Sequence, residues 1–176
     1  MDQQKIIERL TEDHLSFIRF IETLSTEQFL FSKEEKWTAG QQLDHIYRSV
    51  SPVAMAFGLP KFVLTLIFGK ANRTSRSYEA LIEKYHAKLA SGGKASARFV
   101  PNAISVDQRK TISKALANKV QQLCSKIKRL NEEELDSFIL PHPLLSKLTL
   151  REMLYFTIYH VEHHERLIQS SLENRL

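Results

Sequence analysis

The sequence predicts an all-α protein. Apolar residues recur at intervals of three and four over long stretches, and three capping-box patterns mark helix starts. With five Gly and five Pro in 176 residues, the chain is also too poor in turn formers for a sandwich of many short strands. One domain spanning 1–176 is expected, long enough to bury roughly two-thirds or more of the surface its unfolded form would expose.

The first helix is predicted over 3–24, where Ile6, Ile7, Leu10, His14, Phe17, Ile18 and Ile21 form one apolar stripe. His14 on that stripe has two readings: a hydrogen-bonded core histidine, or a side chain that reaches an internal site. A second long helix starts after Trp37, because Thr38 and Gln41 have capping-box spacing and satisfy each other's free amide groups. It carries Leu43, His45, Ile46, Val50 and Val53 inward, with Pro52 expected to bend its later part.

Residues 77–90 read as a third helix, closed by "SGG", where Gly92 or Gly93 can take left-handed geometry. The loop "KASARFVPNAI" follows and is long enough to cover a site. Ser105 and Gln108 then open a fourth long helix through Leu130, of about six turns. Pro141 and Pro143 in "FILPHPLLSKLTL" force an extended or turned connection. The last helix starts at a third capping box, Thr149 with Glu152, and Leu148 with Met153 has the spacing of a hydrophobic staple.

Composition narrows the function classes. The net charge of +5 suits an acidic partner, but basic residues are interspersed with acids except at Lys70, Arg73 and Arg76 and again from 119 to 129. Both concentrations are readable as solvated faces, so nucleic-acid binding is a minor reading. One cysteine, Cys124, cannot form an internal disulfide and reads as a small buried thiol rather than a nucleophile. With no signal-peptide pattern in "MDQQKIIERL", a cytoplasmic location is expected. Pro52, Pro60 and Lys61 interrupt the apolar passage 51–70 before it could span a membrane; buried helices or a homodimer contact are expected there instead.

The functional signal is "HVEHHERLI", which opens at His160. On a helix, His160 and His164 are about 40° apart around the axis and about 6 Å apart along it, so they share an edge. Met153, Thr157 and Leu167 continue that stripe, which should face the bundle interior. His163, about 100° away from His164, reads as a flanking or solvent-exposed residue. His45 is the leading candidate for a third inward donor. Three neutral imidazoles with no fourth protein ligand would hold a divalent metal with an open position, and Zn, Ni, Fe and Mn all suit such donors. Spacing alone leaves satisfied or exposed histidines as an alternative. The Glu83/His86 pair has di-iron spacing but no second pair accompanies it, and Val161 stands where a zinc protease needs glutamate.

The ordered combination of "WTAGQQLDHIYRSV" and "HPLLSKLTLREMLYFTIYHVEHHERLI" resembles the DinB-like family of metal-dependent four-helix-bundle enzymes. The resemblance implies a four-helix bundle with short extra helices and long connecting loops, and a divalent metal held by His45, His160 and His164. It also implies chemistry like that of relatives that transfer low-molecular-weight thiols to electrophiles, or a related hydrolysis. The substrate is then a small molecule such as a low-molecular-weight thiol, and no protein nucleophile is required. Asp44, Glu162, Glu165 and His163 remain as groups that could orient ligands or move protons, although Asp44 and Glu165 should point away from the site. A non-enzymatic metal-binding stress or interaction module is the alternative. The passage 53–68 departs from the resemblance and leaves the pocket's shape open.

Overall fold

The computed structural model describes residues 1–33 and 36–173. Its framework is four long helices: α1 (Gln3–Thr23), α3 (Ala39–Ala56), α6 (Val106–Ile127) and α8 (Leu150–Glu173). They pack in a ring in which α1 touches α6 and α8, and α3 touches the same two from the other side. Short elements fill the connections: α2 (Thr26–Leu30), α4 (Lys61–Phe68), α5 (Tyr78–Ala90), α7 (Glu132–Ser137), and a hairpin of β1 (Ile139–His142) and β2 (Ser146–Thr149).

The helix starts lie where the capping patterns put them. Thr38 Oγ1 accepts from the Gln41 amide while the Gln41 side chain accepts from the Thr38 amide, and α3 begins one residue later. Thr149 and Glu152 make the same exchange at the head of α8. Gly92 closes α5 at φ 86°, a conformation that costs glycine nothing.

Pro52 does not end its helix: α3 runs through it to Ala56, and the chain turns by 110° at the break before α4. Gly58 and Pro60 lie in that break. No single helix among the described residues is long and apolar enough to cross a membrane. On α4 only Leu64 is buried, while Phe62, Leu66 and Ile67 are exposed.

The two prolines of the 138–149 connection produce extended backbone, which pairs into a hairpin with Ile139 opposite Thr149 and His142 opposite Ser146. Pro141, which lacks an amide, is tolerated at this two-stranded edge.

The core runs through Phe17, Leu43, Leu116 and Leu123, all fully buried. The first half of α8 is buried on nearly every side, covered by α1, α3, α5 and the hairpin. Its two charged residues there are neutralised in place. Glu152, 0% exposed, receives Arg73 and Arg76, and Arg151 reaches Glu132 and Asp136. Two of the three cations in the 70–76 concentration are thereby paired with this buried carboxylate.

Candidate metal centre

His45 lies two turns into α3, and His160 and His164 project from one edge of α8 where the two helices pack together. All three are buried, at 4%, 6% and 5% exposure. Their ring nitrogens lie within 4.8 Å of one another, so the three could hold a metal ion.

The orientation of the rings is more telling than their proximity. His45 Nδ1 donates to the Phe99 carbonyl at 2.7 Å. A carbonyl only accepts, so the proton of this neutral imidazole is on Nδ1 and its Nε2 is a bare lone pair. His164 Nδ1 donates in the same way to the Gln42 side-chain oxygen, and its Nε2 is likewise bare. Both Nε2 atoms face His160 Nε2, at 3.2 and 3.0 Å. Two lone pairs thus converge on a third nitrogen, which can give a proton to only one of them.

Protonation is a poor remedy. Burial pushes the His160 pKa well below its ordinary value, with repulsion from His164 and His45 adding to it. Burial does the same to His164, reinforced by His45. His45 is also lowered by burial, against the hydrogen bond to Phe99. The imidazoles are therefore neutral, which is the form that binds metal. The two separations from His160 approach the roughly 3.3 Å between neighbouring donors of a tetrahedral ion with 2.0–2.1 Å bonds.

The surrounding residues hold this geometry. The Trp37 ring lies 4.9 Å from His45 and stacks on His164 at 6.3 Å, and Phe156 stacks on His160 at 4.7 Å. Asp44 accepts from Arg48 at 2.6 Å and from the Asn102 amide at 2.8 Å. Neighbouring residues of α3, Asp44 and His45, thereby grip the loop after α5 at Asn102 and Phe99, and this loop covers the site.

The remaining candidates fall outside the cluster. His163 is half-buried beside Tyr85 and Tyr159, with ring centroids 5.8 and 6.0 Å away. Glu162 pairs with Arg9 and Arg166. Burial raises the Glu165 pKa. His86 bonds to the Tyr159 hydroxyl, and Glu83 is exposed. Cys124 is buried beside Thr11, and burial pushes its thiol pKa up, away from the nucleophilic form.

His142 gains a role that sequence reasoning did not give it, and His14 is the hydrogen-bonded core histidine of its first reading while also lining an internal cleft. His142 Nδ1 accepts the amides of Leu144 and Leu145, both at 3.1 Å, in the hairpin turn. His14 donates from Nδ1 to the Leu10 carbonyl at 2.8 Å, and its buried Nε2 has no hydrogen-bond partner among the described residues. Both line a cleft of about 660 Å³ whose wall also includes His45, His160 and His164.

Comparison with known proteins places this geometry in context. The sequence model of the DinB superfamily matches residues 8–168, a span that contains all three converging histidines. No curated protein and no solved structure matches the chain.

Proposed function

The chain belongs to the DinB superfamily, and from that premise we propose that it is a divalent-metal-dependent enzyme with His45, His160 and His164 as its metal ligands. Thiol S-transfer to an electrophile is the chemistry that suits the site best, with metal-assisted hydrolysis as the alternative. The observation that carries the reading is the convergence of three buried Nε2 atoms, two of them with their protons committed elsewhere.

A divalent ion in such a site supplies a Lewis acid that lowers the pKa of a thiol or water, or polarises a carbonyl. The chain's own residues do the rest. The Phe99 carbonyl and Gln42 fix the tautomers of His45 and His164, which raises their basicity and holds their rings. Trp37 and Phe156 shield the donors on their apolar sides. The cleft admits a substrate alongside the histidines. Cys124, in contact with Thr11 of α1, is not needed as a nucleophile.

A non-enzymatic metal-binding module is the second reading. Structural sites are closed by four protein ligands, whereas the metal-competent cluster among the described residues has three. That difference favours a site that receives substrate.

Metal analysis of the purified protein tests the assignment. Close to one equivalent of divalent metal is expected, with near-complete loss in both His160→Ala and His164→Ala. Full occupancy in both variants would overturn the ligand set. Incubation of the loaded protein with a panel of thiols and electrophiles should then show turnover that His160→Ala lacks; a loaded but inert protein would support the module.

A further inference from the structure

The cleft has a direction. Along α3 its wall runs from His45 through Ile46 and Val50 to Val53; along α8 it runs from His160 through Phe156 to Met153. These ends are eight positions apart on one helix and seven on the other, so the apolar stretch extends about 10–12 Å from the histidines. Apart from the histidines, Arg98 is the one charged side chain in the wall among the described residues, and it is exposed. A polyanionic or zwitterionic guest would find no buried counter-charge there, whereas apolar surface would be desolvated along the whole length.

The histidine end is polar in a defined sense. With its Nδ1 committed as an acceptor to two backbone amides, His142 must carry its proton on Nε2. That Nε2–H has no protein partner among the described residues. The His142 ring lies 4.2 Å from Phe156, the same ring that stacks on His160. A fixed neutral donor therefore stands one aromatic ring away from the three-histidine cluster. The orphan Nε2 of His14, 1% exposed, adds a buried acceptor in the same wall.

We infer that the cleft binds a medium-chain amphiphile, with an alkyl or acyl body along the apolar wall and an oxygen-acceptor head received by the His142 Nε2–H beside the three histidines. An extended body of roughly eight to ten carbons spans a run of that length. The inference rests on the proposed metal site for what happens to the head, but binding of the tail is independent of it.

Decanoate and butyrate, titrated calorimetrically into the metal-loaded protein, test this. Decanoate should bind, with butyrate at least a hundredfold weaker, since each buried methylene contributes a several-fold factor. Val53→Trp, at a half-buried position in the wall, should weaken decanoate at least tenfold and leave metal content unchanged. His160→Ala should lose metal yet keep decanoate affinity within tenfold, which separates failure of the metal reading from failure of this one. Absence of decanoate binding, equal affinity for the two acids, or an unaffected Val53→Trp in a protein of native circular dichroism would overturn the inference.

Discussion

Gln42 is the residue with the least conspicuous sequence and one of the most consequential positions. It lies one turn before His45 on α3 and reaches across the bundle to His164. Its contribution is orientation: without the amide oxygen, the His164 ring can turn and its tautomer is free. Gln42→Leu should therefore lower metal affinity by roughly 10–100-fold without abolishing it, as read by competition with a chromogenic chelator; wild-type affinity would remove Gln42 from the site. His45, His160 and His164 were legible as candidates because helical spacing fixes which residues share an edge. Gln42 was not, since a glutamine on a helix has no local pattern, although its place one turn from His45 on the same face was a usable clue. His14 was legible as a buried position but not as an orphan acceptor, because its partner Leu10 is a backbone carbonyl. Burial holds the pKa of His14, and that of His142, down to about 4. Both are neutral in the native state at pH 7. Below about 6.5 the unfolded chain takes up protons that the native chain refuses. Their stabilising contribution is therefore complete above about pH 6.5 and is lost as pH falls toward 4, by up to about 3 kcal/mol for each residue. Urea midpoints of the metal-free protein at pH 7.5 and 4.5 should show a smaller acid loss in His14→Leu than in the wild type, and equal losses would contradict the assignment.

At the scale of elements, what was encoded locally was readable and what depended on distant packing was not. The starts of α3, α6 and α8 follow from side chains within three residues of each cap, and so all three lie at the predicted positions. The hairpin after α7 depends on two extended segments meeting, so the prolines indicated only that no helix could pass. The turn between α3 and α4 came after Pro52 because a proline within a helix removes one hydrogen bond, whereas Gly58 and Pro60 sit where no helix continues. Glu152 shows how a cap acquires a second task. Desolvation alone would raise its pKa, but Arg73, the Arg76 amide and the Thr149 amide together hold it below the usual carboxylate value. The residue thus closes the capping box and also ties the segment before α5 to the head of α8. Glu152→Ala would remove the Glu152 half of the capping box, leaving the Thr149 amide without its acceptor and two arginines without their carboxylate. A loss of about 2–3 kcal/mol in chemical denaturation is expected, because the buried Thr149 amide loses its acceptor and two partly exposed arginines lose a charged partner, beyond the ~1 kcal/mol of a cap alone; a loss no larger than the cap value would show that the arginines contribute nothing.

For the whole molecule the question is whether the metal holds the bundle together or the bundle holds the metal. The histidines join only α3 and α8, whereas the ring of contacts also passes through α1 and α6, which contribute no ligand. Leu116 and Leu123 of α6 and Phe17 of α1 are fully buried without help from the site. A chain of this length buries enough apolar surface to fold without a metal staple. Metal that binds only the native state still adds stability by mass action, about 2.7 kcal/mol at a hundredfold excess over its dissociation constant. Chelation is therefore expected to lower Tm by several degrees while leaving the helical circular dichroism at 25 °C essentially unchanged, and re-addition of metal should restore Tm. Loss of helical signal on chelation at 25 °C would reverse the order of dependence, make the ion a structural element of the fold, and move the balance from an enzyme to a metal-stabilised module.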